Sequence, residues 1–199
     1  MVDSEPQVIV IAGPNGAGKS TLAPFMLRDA YGVAEFVNAD TIARGLSAFN
    51  PEGVAFEAGR VMLNRLRDLA EQRATFAFET TLSSRTYARW ISNLRLRGYI
   101  FNIMFLWLNS PELAVQRVGE RVRMGGHDIP EDVIRRRYFK GIRNFIHLYQ
   151  LLAESWGVYD NSSRGNPRFM AQGSRTNTTK IFLDEEWQKF LEQANESRT

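Results

Sequence analysis

Cysteine is absent from this chain, which rules out disulfide bridges, thiolate metal sites and cysteine nucleophiles. No apolar run reaches the roughly 18 to 20 residues that a membrane-spanning helix needs, and the longest, residues 99–108, predicts a buried strand. The first seven residues are polar and acidic, unlike a secretory signal. We therefore expect a cytoplasmic protein with no membrane partner.

A large excess of charge of one sign is also missing. The 25 lysines and arginines against 22 aspartates and glutamates give a net charge of +3, too small to favour nucleic acid as a substrate or partner. Much of the positive charge lies in one segment, at Arg117, Arg121, Arg123, Arg135, Arg136, Arg137, Lys140 and Arg143. A single segment of this kind suits the phosphate groups of a nucleotide.

What the chain does contain is a glycine-rich loop between an apolar run and a helical pattern. The loop reads Gly13, Pro14, Asn15, Gly16, Ala17, Gly18, Lys19, Ser20, Thr21. This is the G-x-x-x-x-G-K-[ST] pattern of a P-loop, in its strand–loop–helix context. Backbone N–H groups of such a loop point at phosphate oxygens, Lys19 reaches the β- and γ-phosphates, and the Ser20 hydroxyl binds Mg²⁺. The loop predicts binding of a nucleoside triphosphate together with Mg²⁺.

Apolar runs alternate with helical patterns along the rest of the chain. Strands are predicted at residues 8–12, 34–38, 75–79, 99–108 and 157–160, with later strands at 168–171 and 180–183. Helices are predicted at residues 19–30, 52–72, 85–97, 111–123, 130–155 and 184–194. This alternation predicts one α/β domain over residues 1–199, a three-layer P-loop NTPase fold with a mostly parallel sheet. Ligands of such sheets bind where the strands end.

Two carboxylates lie at such strand ends. Asp40 follows the second strand, where a phosphoryl acceptor needs a carboxylate to orient and deprotonate its hydroxyl. The alternative is that Asp40 only caps the helix at residues 41–46. Glu79 ends the third strand, where it can hold Mg²⁺ through water or bond a substrate hydroxyl, and Thr81 is a further substrate contact. The alternative for this stretch is a strand end followed by a helix-capping box.

The arginine-rich segment predicts a helical lid, a hairpin over about residues 111–155. Gly125 and Gly126 give it a hinge, and the following helix has an apolar stripe and a basic face. We expect the hairpin to close over the triphosphate, since arginine stabilises charge in the transition state. The catalytic candidates are Arg123, Arg136 and Arg137, and His127 is a candidate substrate contact. The alternatives are a solvated basic face and a turn histidine.

With these motifs in place, the chain resembles the zeta-toxin-like P-loop kinases. The resemblance rests on residues 13–21, 37–40, 78–82, 125–130, 136–138 and 159–162, and it spans residues 8–162. It implies a kinase that transfers the γ-phosphate of ATP, or of GTP, to a hydroxyl. The family's base falls on Asp40, its acidic substrate contact on Glu79 and its phosphate clamps on the lid arginines. In the toxin branch the acceptor is a UDP-N-acetyl amino sugar, and an antitoxin protein covers the nucleotide site.

Other functions remain open at this point. A kinase of another small metabolite or antibiotic would share the core and differ in its acceptor pocket. A transporter-type ATPase would need a Leu-Ser-Gly-Gly-Gln signature and an apolar strand ending in Asp-Glu, and the chain has neither. A non-catalytic nucleotide sensor is disfavoured because Lys19, Ser20 and Asp40 are all present. The residues favour a small-molecule kinase over a non-transporter P-loop ATPase.

Overall fold

The computed structural model describes residues 5–126, 128–163 and 165–196. Its strands are β1 Gln7–Ala12, β2 Glu35–Val37, β3 Phe76–Thr80, β4 Ile100–Trp107, β5 Ser155–Asp160, β6 Arg168–Ser174 and β7 Asn177–Ile181. Its α-helices are α1 Lys19–Tyr31, α2 Ala39–Leu46, α3 Ala55–Glu71, α4 Thr86–Leu96, α5 Pro111–Arg123, α6 Glu131–Asn144 and α7 Asp184–Asn195. No helix in these ranges is long and apolar enough to cross a membrane.

The strands form one seven-stranded sheet in the order β2-β3-β1-β4-β5-β6-β7. Strands β1 to β5 run parallel, and β6 and β7 are antiparallel additions at one edge. Strand β1 lies between β3 and β4, and residues 8–12 are fully buried. A parallel sheet covered by helices needs such continuous apolar strands. The predicted α/β fold with a mostly parallel sheet is confirmed.

Two predicted helices differ from the observed ones. The helix expected over residues 52–72 begins as a 3₁₀ turn, Glu52–Val54, before α3. The helix expected over residues 130–155 begins at Glu131, continues after α6 as a π-helical turn, Phe145–Tyr149, and ends in the 3₁₀ turn Gln150–Leu152. It stops there because strand β5 begins at Ser155, earlier than predicted.

The second half of the predicted lid is part of the core. Tyr138, Ile142, Phe145 and Tyr149 are fully buried. The Phe145 ring lies 5.0 Å from the ring of Phe105 in β4. Burial on this scale is worth about 1.5–3 kcal/mol for each large apolar side chain. Moving the hairpin over residues 111–155 as one hinged unit would expose these side chains, and the lid stays a prediction.

Helix α6 is also fixed to the turn that follows β3. A Cβ atom added to Gly141 would lie 2.4 Å from the carbonyl oxygen of Thr81, so the two backbones touch. Asn144 Nδ2 donates to the Leu82 carbonyl at 2.7 Å, and the Tyr149 hydroxyl donates to the Ser84 carbonyl at 2.7 Å. These contacts join the turn after β3 to α6 along two helical turns.

The close approach at Gly141 gives a test of this packing. Alanine is the better helix former by about 1 kcal/mol, but its methyl group would collide with the Thr81 carbonyl, and overpacking costs about 1–3 kcal/mol. We expect Gly141→Ala to lower the free energy of unfolding in urea. Gly119→Ala in α5 is the matched control, since no atom lies within 4 Å of its added Cβ. Equal stability changes in the two variants would contradict the packing described here.

Candidate active site

The loop between β1 and α1 depends on glycine at three positions. Gly13, Gly16 and Gly18 have positive φ angles of 139°, 78° and 81°. A Cβ atom at Gly13 would lie 2.2 Å from the Leu106 carbonyl oxygen. One at Gly18 would lie 2.9 Å from Asn161 Nδ2. Side chains at these positions would therefore be strained and would collide with the scaffold.

Lys19 is the first residue of α1, and only 6% of it is exposed. Its Nζ donates to the carbonyl oxygens of Gly13 at 3.0 Å and Pro14 at 2.9 Å. It lies 3.9 Å from Glu79 Oε1. The ammonium group is thus held inside the loop, at the N-terminus of a helix, where an anion is favoured.

Four charged residues act on this ammonium group. Burial lowers the pKa of Lys19, while the carboxylates of Glu79 and Asp40 raise that pKa and the guanidinium groups of Arg121 and Arg137 lower it. Electrostatic influence of this kind requires proximity. Glu79 lies 3.9 Å from the ammonium group, and Asp40, Arg121 and Arg137 are near enough for their charges to influence the pKa of Lys19.

The predicted metal residues Ser20 and Glu79 are in direct contact. Ser20 Oγ donates to Glu79 Oε2 at 2.7 Å, and Asn38 Nδ2 donates to the same oxygen at 2.7 Å. Glu79 is therefore part of the loop site, in addition to ending β3. The N-cap of α4 is Arg85, which makes no side-chain capping bond, and the N–H of Thr86 donates to Ser84 Oγ at 3.1 Å.

A Mg²⁺ ion fits this pair of residues. Within residues 5–126, 128–163 and 165–196, no three His, Cys, Asp or Glu side chains cluster to hold a metal by themselves. Mg²⁺ does not need such a cluster, because it binds one or two protein oxygens together with substrate phosphates and water. The hydroxyl of Ser20 and the carboxylate of Glu79 supply that kind of oxygen beside the loop.

Asp40 is exposed and is the second residue of α2. The cap of this helix is Asn38, whose Oδ1 accepts from the N–H of Thr41 at 3.0 Å. The alternative in which Asp40 caps the helix is therefore wrong. Its carboxylate acts on both Lys19 and Arg137 and is free of a capping role. It can accept a proton from a hydroxyl placed between these groups.

Among the predicted arginines, Arg137 is the one whose charge influences the pKa of Lys19. It is half-buried on α6, and burial lowers the pKa of Arg137, with a further decrease from Arg136 and an increase from Asp40. Arg136 is exposed beside it. A half-buried guanidinium group held near a carboxylate and a lysine is suited to a phosphate that carries extra negative charge.

The other lid candidates differ in position. Arg123 is exposed as the last residue of α5, whereas Arg121, two residues earlier, is the residue that acts on Lys19. Residues two apart on a helix face different directions, so only one of them can face the loop. Thr81 lies in the turn beyond Glu79, with its Oγ1 2.9 Å from Ser83 Oγ. His127 lies outside the described residues.

Two asparagines support the site in roles that the sequence did not assign to them. Asn38 bonds Glu79 while it caps α2. Asn161 follows β5 and donates from Nδ2 to the Ala17 carbonyl at 2.8 Å, so it supports the loop from behind. Each asparagine is the first residue after a parallel strand. Ligands of parallel sheets bind at this end of the strands, so the position is the signal that could have identified both residues.

Comparison with known proteins places the domain in a family. The model of the AAA domain family matches residues 8–139. An uncharacterized protein of Haemophilus influenzae is 30% identical over 132 residues, covering 66% of this chain and 92% of that protein.

Solved structures share the fold. The crystal structure of AvrRxo1-ORF1:AvrRxo1-ORF2 with sulphate ions matches with a TM-score of 0.75 and 17% identity over 99% of this chain. The chain spans 66% of that structure's chain, just under two thirds of its length. A structure from the PezAT chromosomal toxin-antitoxin system of Streptococcus pneumoniae matches with a TM-score of 0.65 and 17% identity, over 98% of this chain and 88% of that one.

At these sequence identities, structural similarity shows a shared fold only, and function has to be argued from the residues of the site. The family match covers more than half of the chain and includes the loop, Asp40, Glu79 and Arg137. The chain belongs to the AAA domain family, with a P-loop kinase-like fold.

Proposed function

We propose that the chain is a phosphotransferase that moves the γ-phosphate of ATP, or of GTP, to a hydroxyl of a small molecule. The observation that carries this proposal is the contact of Ser20 with Glu79 beside the buried Lys19, with Asp40 and Arg137 near enough to influence the pKa of Lys19. A site that only binds a nucleotide would need the cations but not the carboxylate. Asp40 supplies a carboxylate that can orient and deprotonate the hydroxyl of a phosphoryl acceptor. One structure of the AvrRxo1 complex contains ATP, which supports the choice of nucleotide.

Binding of the triphosphate uses the loop and the ammonium group. The residues from Gly13 to Thr21, apart from Pro14, supply backbone N–H groups, and α1 supplies its positive end. Lys19 exchanges its bonds to the carbonyls of Gly13 and Pro14 for bonds to the β- and γ-phosphates. Ser20 would hold Mg²⁺ directly and Glu79 through water, and the bound ion supplies neutralisation of phosphate charge.

The transfer step needs one base and one stabilising cation. Asp40 accepts the proton of the acceptor hydroxyl, whose oxygen then forms a bond to the γ-phosphorus. The bond from that phosphorus to the β,γ-bridging oxygen breaks, and ADP leaves. Arg137 stabilises the charge on the transferred group, with Arg121, Arg123 and Arg136 as further lid cations. A lid movement within the hairpin over residues 111–155 closes the site and excludes water.

A UDP-N-acetyl amino sugar is the proposed acceptor, bound near Glu79, Thr81 and His127. The resemblance to zeta-toxin-like kinases is what implies this acceptor class. The PezAT structure comes from a toxin-antitoxin system, which supports an antitoxin protein as a partner. The second candidate function is a kinase of another small metabolite or antibiotic. We also propose that the protein acts in the cytoplasm and that residues 1–199 form a single domain. Nucleic acid is not among the proposed partners.

Replacement of Asp40 tests the base. Asp40→Asn should lower kcat with Mg²⁺, γ-labelled ATP and UDP-N-acetylglucosamine by about 10²–10⁴-fold, the range for a lost general base. The affinity for ATP should stay within about threefold, because the base acts on chemistry rather than on ground-state binding. Asp68→Asn, an exposed carboxylate on α3, is the control and should transfer phosphate like the parent. Equal turnover by Asp40→Asn and the parent would remove Asp40 from the mechanism.

Replacement of Lys19 should affect ATP binding and the free energy of unfolding differently. Lys19→Met should weaken ATP binding by at least about tenfold, since bonds to charged groups contribute roughly 1.5–3 kcal/mol each. The free energy of unfolding should be unchanged or higher at pH 7, because a buried ammonium group is removed. Calorimetric titration with ATP and urea unfolding measure the two effects.

The pH dependence of stability follows from the direction in which the pKa of Lys19 is shifted. Because burial lowers the pKa of Lys19, the unfolded chain binds that proton more tightly than the folded chain. The stability of the parent relative to Lys19→Met should therefore rise as the pH is raised from 7 towards the ordinary lysine pKa of about 10.4. A stability difference that falls over this range would contradict the buried, charge-disfavouring environment of Lys19.

A further inference from the structure

A buried carboxylate at the end of β5 takes no part in the proposed transfer step. Asp160 is the last residue of β5, and only 4% of it is exposed. Its Oδ1 accepts from the N–H of Ser162 at 2.9 Å and from the Ser162 hydroxyl, the bonds of an Asx turn. Its Oδ2 accepts from Arg168 Nη2 at 2.6 Å. One oxygen therefore shapes the chain that follows the strand, and the other pairs with a cation.

The two residues that follow Asp160 are fixed to neighbouring elements. The Ser162 hydroxyl oxygen accepts from the N–H of Asn109, shortly after β4, at 2.8 Å. The Ser162 carbonyl accepts from Nη2 of Arg117, on α5, at 3.0 Å. The N–H of Asn161 donates to a carbonyl at the end of β4 at 2.9 Å. Because these bonds lie on either side of the Asn161 side chain, they determine where its amide is placed.

This segment contacts the nucleotide loop. Asn161 Nδ2 donates to the Ala17 carbonyl at 2.8 Å. A Cβ atom added to Gly18 would lie 2.9 Å from Asn161 Nδ2, and one added to Gly16 would lie 3.1 Å from Arg117 Cβ. Three successive residues of the loop are therefore packed against side chains that Asp160 and Ser162 hold in place. The conformation of these loop residues decides where their N–H groups point.

Stability alone does not explain a charged residue at this position. A buried ion pair is often no more stabilising than apolar residues of similar volume. An apolar side chain in place of Asp160 could not, however, accept the two bonds from Ser162. What the carboxylate supplies, and an apolar residue does not, is the shape of the segment that carries Asn161.

We propose that Asp160 is a positioning residue for the nucleotide: it shapes the segment that places Asn161, and Asn161 holds the loop in the conformation that binds phosphate. The inference rests on the proposed function for its use of ATP. Arg168 compensates the buried charge and lies outside this route, since it bonds Oδ2 and Glu186. These residues all lie beyond the family match over residues 8–139, so a later part of the chain influences nucleotide binding.

The first experiment measures nucleotide affinity without catalysis. A non-hydrolysable ATP analogue with Mg²⁺ is titrated calorimetrically into each protein, well below its Tm. Asp160→Ala should raise the Kd by about tenfold or more, the loss expected when bonds to phosphate are displaced. Asn161→Ala should raise the Kd by a similar or smaller factor. Asn195→Ala, which removes an exposed amide that bonds a carbonyl within α7, is the control and should bind as the parent does.

An unchanged Kd in Asp160→Ala, with only the Tm lowered, would overturn the proposal, because Asp160 would then serve stability alone.

Two further variants separate positioning from stability. Asp160→Asn keeps an oxygen that can accept both bonds from Ser162, and Arg168→Gln removes the cation while leaving those bonds in place. Both should lower the Tm, because each breaks a buried ion pair. Both should keep the Kd within about threefold of the parent, since no bond to the loop is lost. A loss of affinity as large as that of Asp160→Ala in either variant would overturn the role of the Oδ1 bonds.

A double-mutant cycle tests the route through Asn161. If Asp160 acts by placing Asn161, the variant Asp160→Ala/Asn161→Ala should bind the analogue no more weakly than Asp160→Ala alone. Additive losses would overturn this route. If Asp160→Ala does not fold, Ser162→Ala replaces it, because that change removes the hydroxyl bond to Asp160 and keeps the buried ion pair. Its loss should likewise not add to that of Asn161→Ala.

Failure of the kinase function can be told apart from failure of this inference. If the parent binds the analogue but transfers phosphate to no hydroxyl compound, the kinase function is refuted, and the Kd values still decide the role of Asp160. Where transfer is observed, Asp160→Ala should raise KM for ATP and leave KM for the acceptor within about twofold. A parent that does not bind the analogue would overturn the loop site and the role of Asp160 together.

Discussion

The buried ammonium group of Lys19 is the interaction on which the site depends. A charge with 6% exposure is costly unless polar groups surround it, and here the carbonyls of Gly13 and Pro14 do so. Those carbonyls face inward only because the loop's glycines adopt positive φ angles. The loop in turn is anchored by β1, the buried central strand, and by Asn161. The position of the Lys19 ammonium group therefore depends on the shape of the loop, and the shape of the loop depends on the sheet.

Helix α6 connects this arrangement to the core. The charge of Arg137 influences the pKa of Lys19, while the next residue, Tyr138, is fully buried and bonds Gln193 at 2.9 Å. Moving the whole helix would expose several large side chains, at a cost comparable with the total stability of a domain. A cation held in this way is preorganised, which is how fixed charges stabilise a transition state. The stability of the core and the position of the proposed phosphate clamp thus depend on the same helix.

The sequence predicted the parts of the fold and site that local pattern determines. The loop was recognisable because its glycines, Lys19 and Ser20 occur in order between a strand and a helix, and the strand ends located Asp40 and Glu79. The N-cap of α2 could not be predicted, because Asn38 and Asp40 are both good capping residues. Only the structure shows that Asn38 accepts the capping bond. The orientation of α6 about its axis and the contact at Gly141 depend on tertiary packing. The sequence therefore could not rank Arg123, Arg136 and Arg137, and the arginine that contacts phosphate stays a prediction.

A crystal structure of the protein with Mg²⁺ and a non-hydrolysable ATP analogue tests the central claim most directly. The account predicts that Lys19 Nζ leaves the carbonyls of Gly13 and Pro14 for oxygens of the β- and γ-phosphates. It also predicts Mg²⁺ bound to Ser20 Oγ, with Glu79 reached through water and Asp40 facing the γ-phosphate. A nucleotide bound elsewhere, with Lys19 still bonded to both carbonyls, would contradict it.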